Sequence, residues 1–157
     1  MMTIEQIAKV INELAVKPFG KKAVLAYDVD EMATLLHRLS EQYKVDVRLA
    51  LAQGIAECHF GCNPAAARSR KTRNIFNVGN VDSGANRYYA SWEDGVRAYF
   101  HLMAREYCYR NEGQTVTAEM MIAHDFVRPR GGRYATAPSY TKDIAKLVAK
   151  IDQIKEK

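Results

Sequence analysis

Apolar residues recur at three- and four-residue intervals through most of the chain, which is the period of an amphipathic helix. Ile4, Ile7, Ile11 and Leu14 form the first stripe, with Thr3 placed to cap it and Pro18-Phe19-Gly20 placed to end it. A second helix is expected after Asp30, burying Met32, Leu35, Leu36, Leu39 and Tyr43, with Asp28 and Asp30 as capping and turn groups. Val47 to Glu57 is apolar around most of its circumference. Its Ala50, Ala52, Gly54 and Ala56 leave little side-chain bulk, so a buried central helix approached closely by its neighbours is predicted. Asn63-Pro64 can cap a short helix running through Arg68. Ser91 caps a helix carrying Trp92, Val96, Tyr99, Phe100, Met103 and Tyr107, a further helix runs from Thr117 through His124, and Ile144, Leu147, Val148, Ile151 and Ile154 mark the last. Between them, Ile75-Phe76-Asn77-Val78 and Asn86-Arg87-Tyr88-Tyr89 can pair as a hairpin across Val81 to Ala85. The pattern predicts one mainly α (α+β) domain over residues 1–157, its only sheet that hairpin.

Glu57 breaks this pattern in a chemically useful way. It ends an apolar helix where the chain enters Cys58-His59-Phe60-Gly61. A carboxyl held there loses part of its hydration, which favours the protonated form and moves its pKa toward that of a general acid. A solvated glutamate at a helix end is the plain alternative. Cys58, His59 and Cys62 lie close together, but no second ligand pair accompanies them, and unpaired, partly buried thiols explain them without a metal. Three cysteines cannot all pair within one chain, so a disulfide framework is not expected.

Composition narrows the field only modestly. At 157 residues, with 48% hydrophobic and 26% charged residues, the chain suits a globular domain, and no apolar run reaches the length of a membrane span. Met1-Met2-Thr3-Ile4-Glu5-Gln6 lacks the features of a secretory signal, so delivery to an external substrate would depend on lysis, a virion or another system. The net charge of +5 is concentrated in Arg68-Ser69-Arg70-Lys71-Thr72-Arg73 and Arg128-Pro129-Arg130-Gly131-Gly132-Arg133. Such segments attract polyanions, either nucleic acid or an anionic bacterial wall, unless they are simply solvated surface. No DNA- or RNA-reading motif accompanies them, so specific nucleic-acid binding is not expected. Arg130 to Arg133 lacks phosphate-loop spacing.

Four blocks then point to a family. The string Leu51-Ala52-Gln53-Gly54-Ile55-Ala56-Glu57-Cys58-His59-Phe60-Gly61 resembles the helix-plus-glutamate signature of lysozyme-like peptidoglycan hydrolases, most closely the endo-β-N-acetylglucosaminidases among autolysins and flagellar wall hydrolases. Asn74-Ile75-Phe76-Asn77-Val78-Gly79 is similar to that family's Asn-x-Phe-Gly block. Tyr89-Ala90-Ser91-Trp92-Glu93-Asp94-Gly95 is similar to its entry into the next helix, and Tyr134-Ala135-Thr136-Ala137-Pro138-Ser139-Tyr140 to its Tyr-Ala-Thr-Asp-Pro-x-Tyr block. The chain departs from the family at Cys58-His59-Phe60-Gly61, where Ser-Gly-x-Gly is usual, at Asn77 in place of glycine and at Ala137 in place of aspartate.

The resemblance implies a lysozyme-like helical domain with a small β-hairpin lobe, acting as a monomer on peptidoglycan without cofactor or metal. It implies Glu57 as general acid and Tyr134 in the cleft, with a packing role the alternative for Tyr134, while Asp82, placed in the expected hairpin, is the candidate second carboxylate. Asn74, Phe76, Asn80, Tyr88 and Tyr140 are the implied substrate contacts. The substrate's own N-acetyl group is the alternative to Asp82. The run from Asn77 to Gly84 also resembles phage lysozyme-like and transglycosylase segments, which keeps muramidase and lytic transglycosylase chemistry open, as is a non-catalytic phage wall-binding module with this fold.

Overall fold

The computed structural model describes residues 1–79, 87–108 and 113–157. Among them are seven α-helices: α1 (Ile4–Ile11), α2 (Val29–Tyr43), α3 (Val47–Cys58), α4 (Ala67–Thr72), α5 (Trp92–Glu106), α6 (Ala118–Ala123) and α7 (Tyr140–Lys155). The helix starts follow the chain's capping chemistry. Thr3 and Gln6 form a reciprocal capping box at α1, Ser91 accepts from the Asp94 N–H at α5, and Thr117 from the Met120 N–H at α6. At α2 the cap is Asp28, which accepts from the Glu31 N–H, so the helix begins at Val29, ahead of the expected start after Asp30. α1 runs on through a π turn at Asn12–Val16 and a 3-10 segment at Lys17–Lys22, where Gly20 takes a positive φ of 53°.

As its sequence implies, α3 is central. Nine of its 12 residues are buried, on all sides of the helix. It packs against α7, α2 and α1, while α2 also packs on α1 and α5. Gly54 makes one of these approaches possible: a Cβ there would stand 2.2 Å from Cε2 of Phe60, so the aromatic ring lies directly on the α3 backbone. The chain reverses after α3 through His59 and Phe60, both left-handed at φ 49° and 54°. Phe60 carries on into an aromatic core with Phe76, Tyr99 and Phe100.

The expected hairpin is not seen. Among the described residues there is no strand, only two isolated β-bridges, Val45 with Val116 and Val127 with Arg133. Ile75 and Phe76 are both buried, whereas alternation along a strand would send one of them to solvent. The segment is a turn instead. Asn74 donates through Nδ2 to the Val78 carbonyl at 2.9 Å and accepts from the Val78 N–H at 3.0 Å, and Asn77 takes φ 59°. Of the expected partner strand, Asn86 and the connecting Val81 to Ala85 lie outside the described residues, and the Tyr89 N–H donates to the Thr72 carbonyl at 2.9 Å. The short helix after Asn63-Pro64 is likewise displaced. Asn63 closes a side-chain turn onto the Ala65 N–H, and α4 starts only at Ala67 and extends to Thr72. Among the described residues no helix is long and apolar enough to cross a membrane.

Candidate active site

Glu57 occupies the last turn of α3, where the helix gives way to the left-handed His59. Its half-buried carboxyl enters a cavity of about 190 Å³, shared with Arg68, Ser69 and Thr72 of α4 and with Asn74, Ile75 and Asn77 of the following turn. Among the described residues around this cavity Glu57 supplies the only carboxylate, and no described residue forms an ion pair with it. Burial raises its pKa to about 7. Its place at the negative end of the α3 dipole acts in the same direction.

The wall around it is set by packing further in. Gln53, one turn before Glu57 and fully buried, accepts from the Tyr99 hydroxyl and donates to the Tyr140 hydroxyl at 3.0 Å. This amide ties α3 to α5 and α7 beneath the acid. The glycine of α5 matters on the other side: a Cβ on Gly95 would fall 1.9 Å from the Arg73 carbonyl oxygen, so α5 can seat the α4–Asn74 turn only with glycine there.

The residues expected from the sequence are distributed unevenly. Asn74 does line the cavity, with its side chain committed to the Val78 backbone. The Phe76 ring is buried, stacked on Tyr99 with centroids 4.0 Å apart, and the residue's link to the site is its carbonyl, which accepts from the Tyr134 hydroxyl at 2.9 Å. Tyr134 stacks on Tyr140 at 6.0 Å, and both phenols feel the charge of Glu57. Burial, before that charge, raises both phenol pKa values and keeps them protonated. Tyr88 is 61% exposed and lies in a separate surface depression with Tyr43, Tyr89 and His101. Asn80 and Asp82 lie outside the described residues.

The basic run at Arg68 to Arg73 is not one unit. Arg70 donates to the carbonyls of Gly61 at 2.9 Å, Asn63 at 2.6 Å and Pro64 at 3.2 Å, so it fastens α4 to the loop after α3. Arg68 is exposed at the cavity. In the second run, the Arg128 N–H donates to the Gly132 carbonyl, Arg133 pairs with Asp125 at 3.2 Å, and Arg130 is exposed. Cys58 donates to the Ile75 carbonyl at 3.3 Å, and burial pushes its thiol up to about 11. Cys62 sits beside the Tyr27 hydroxyl at 3.7 Å. Among the described residues no group of three or more His, Cys, Asp or Glu could hold a metal.

Gln53, Ser69 and Thr72 carry no candidate role in the sequence, and Asn77 enters there only as a departure from the family's glycine. Gln53 did leave a signal: it is the one polar side chain between Leu49 and Ala56, four residues before Glu57 and therefore on the same helix face.

A half-buried acid of nearly neutral pKa, opening into a polar cavity of a helical scaffold, has the form of a proton donor to a leaving oxygen, as in glycoside hydrolases. Residues 33–153 match the model of the glucosaminidase family, described as mannosyl-glycoprotein endo-beta-N-acetylglucosaminidase. The chain belongs to this family and is a glycoside hydrolase acting on cell-wall glycans. No curated protein and no solved structure matches it.

Proposed function

We propose that the protein is an endo-β-N-acetylglucosaminidase of bacterial peptidoglycan, with Glu57 as its general acid. The observation that carries this reading is the Glu57 carboxyl itself, whose burial raises its pKa to about 7 and so keeps a proton available near neutrality. In the reaction Glu57 protonates the glycosidic oxygen as the bond to C1 breaks and the leaving sugar departs. The substrate's acetamido oxygen can serve as the nucleophile, with Glu57 the one carboxylate among the described residues around the cavity. It closes on C1 as the leaving group departs, and water, deprotonated by the Glu57 carboxylate, then opens the ring. Asp82 is the protein alternative for stabilising that centre. Tyr134 serves as a positioning residue, holding the Asn74–Val78 turn through the Phe76 carbonyl.

Digestion of purified peptidoglycan with wild type and Glu57→Gln, followed by mass spectrometry of the fragments, tests this. New reducing GlcNAc ends that vanish with the variant are expected. Reducing MurNAc ends would make the enzyme a muramidase and anhydro-MurNAc ends a transglycosylase. Unchanged turnover by folded Glu57→Gln would remove Glu57 from the chemistry.

A further inference from the structure

We infer that Arg68 is a specificity-determining residue that binds a carboxylate on the glycan beside the bond being cut. The inference rests on the proposed action at Glu57. The argument starts from how α4 is held. Arg70 anchors one side of the helix through three backbone carbonyls. At about 100° per residue, Arg68 lies roughly 200° from Arg70 around the helix and about 40° from Thr72. Thr72 is buried at the cavity, its hydroxyl donating to the Arg68 carbonyl at 2.9 Å and its own carbonyl accepting from the Tyr89 N–H. The anchoring of α4 therefore fixes Arg68, with Ser69 and Thr72, on the cavity side. Arg68 is exposed there, and among the described residues no acidic side chain pairs with it. By contrast Arg38, Arg48, Arg97 and Arg133 are all engaged with carboxylates.

A guanidinium held at a small polar cavity matches the two oxygens of a carboxylate, which it can grip through two parallel hydrogen bonds. The wall glycan offers that chemistry from two sources, the lactyl carboxylate of a peptide-free muramic sugar or a free carboxylate on its stem peptide. A neutral amino-sugar polymer offers none. Arg68 would then favour anionic strands over neutral ones at the step of binding.

The test uses tetrasaccharide fragments of alternating GlcNAc and MurNAc in three forms: peptide-free, peptide-bearing, and peptide-free with the lactyl carboxylates converted to methyl amides. Binding is measured to folded Glu57→Gln and to the double variant Glu57→Gln/Arg68→Gln. We expect Glu57→Gln to bind a carboxylate-bearing fragment about tenfold more tightly than the methyl amide, and the double variant to lose that difference. The peptide-free form alone showing the preference identifies the lactyl group, and the peptide-bearing form alone identifies the stem. Equal affinity for all three fragments, a preference that survives Arg68→Gln, or no binding of any fragment overturns the inference. New reducing ends appearing in the Glu57→Gln samples at the wild-type rate would instead refute Glu57 as the acid, and the affinity comparison with the double variant would still decide Arg68.

Discussion

Replacing Glu57 by glutamine should make the protein more stable and less active at once, and the size of the first effect follows from the site. The folded carboxyl has its pKa raised from the ordinary 4.5 to about 7 by burial. Below pH 4.5 the acid is protonated in both folded and unfolded chains, so its burial carries no charge penalty. Between pH 4.5 and 7 the unfolded chain releases the proton while the folded chain keeps it, and stability falls by about 1.36 kcal/mol for each pH unit. Above pH 7 both forms are ionised and the loss levels off at up to about 3 kcal/mol. Glutamine has nearly the same shape and does not titrate, so Glu57→Gln escapes this loss.

Urea unfolding of wild type and Glu57→Gln at pH 4 and pH 8 measures the effect. The two should unfold at similar urea concentrations at pH 4, and the variant should be more stable by up to about 3 kcal/mol at pH 8. The activity of wild type should fall on the alkaline side as Glu57 loses its proton near pH 7, while the variant is slower by several orders of magnitude. A stability difference that is the same at both pH values would show that the carboxyl is not held away from water, and would remove the physical basis of the acid assignment.

Three other substitutions test the scaffold beneath the site. Gly54→Ala drives a methyl group into the Phe60 ring and should cost about 1–3 kcal/mol in thermal or urea unfolding; a neutral result would mean the His59–Phe60 turn can shift freely. Gln53→Leu leaves the Tyr99 and Tyr140 hydroxyls without their shared partner and should destabilise by about 2–4 kcal/mol, with wild-type stability refuting the linkage. Tyr134→Phe removes the hydrogen bond to the Phe76 carbonyl and should cost about 1 kcal/mol of stability with a higher KM for glycan; an unchanged KM would take Tyr134 out of substrate positioning.

α1, α2 and α5 are legible because each combines a periodic apolar stripe with a side-chain cap, and both signals lie within a few neighbouring residues, while α7 is legible from its stripe alone. Thr3, Ser91 and Thr117 each accept a backbone N–H where the sequence places them. α3 was legible for a different reason, its small residues forecasting close approach, which Gly54 under Phe60 displays. The hairpin failed where side-chain chemistry competes with β pairing. An asparagine able to bond a backbone four residues on can close a turn, and consecutive apolar residues can both turn inward once alternation is abandoned. Glu57 could be singled out because burial follows from its own helix. Gln53 and Tyr140 are 87 residues apart, and nothing in the sequence around either residue announces their hydrogen bond.

The basic run at Arg68 to Arg73 shows the same limit most sharply. Along the chain its charges form one patch, and a uniform attraction to polyanions is the natural expectation. Once the segment is helical, two arginines two residues apart point to nearly opposite sides. One is spent on the carbonyls of Gly61, Asn63 and Pro64, holding the loop that follows the acid, and the other is left at the cavity that the acid shares. Loss of Arg70 would therefore disturb the geometry around Glu57, while loss of Arg68 removes a charge from its mouth. Two substitutions that look equivalent in sequence thus separate an arginine committed to backbone carbonyls from one exposed at the cavity, and charge density along the chain cannot make that distinction before the helix is in place.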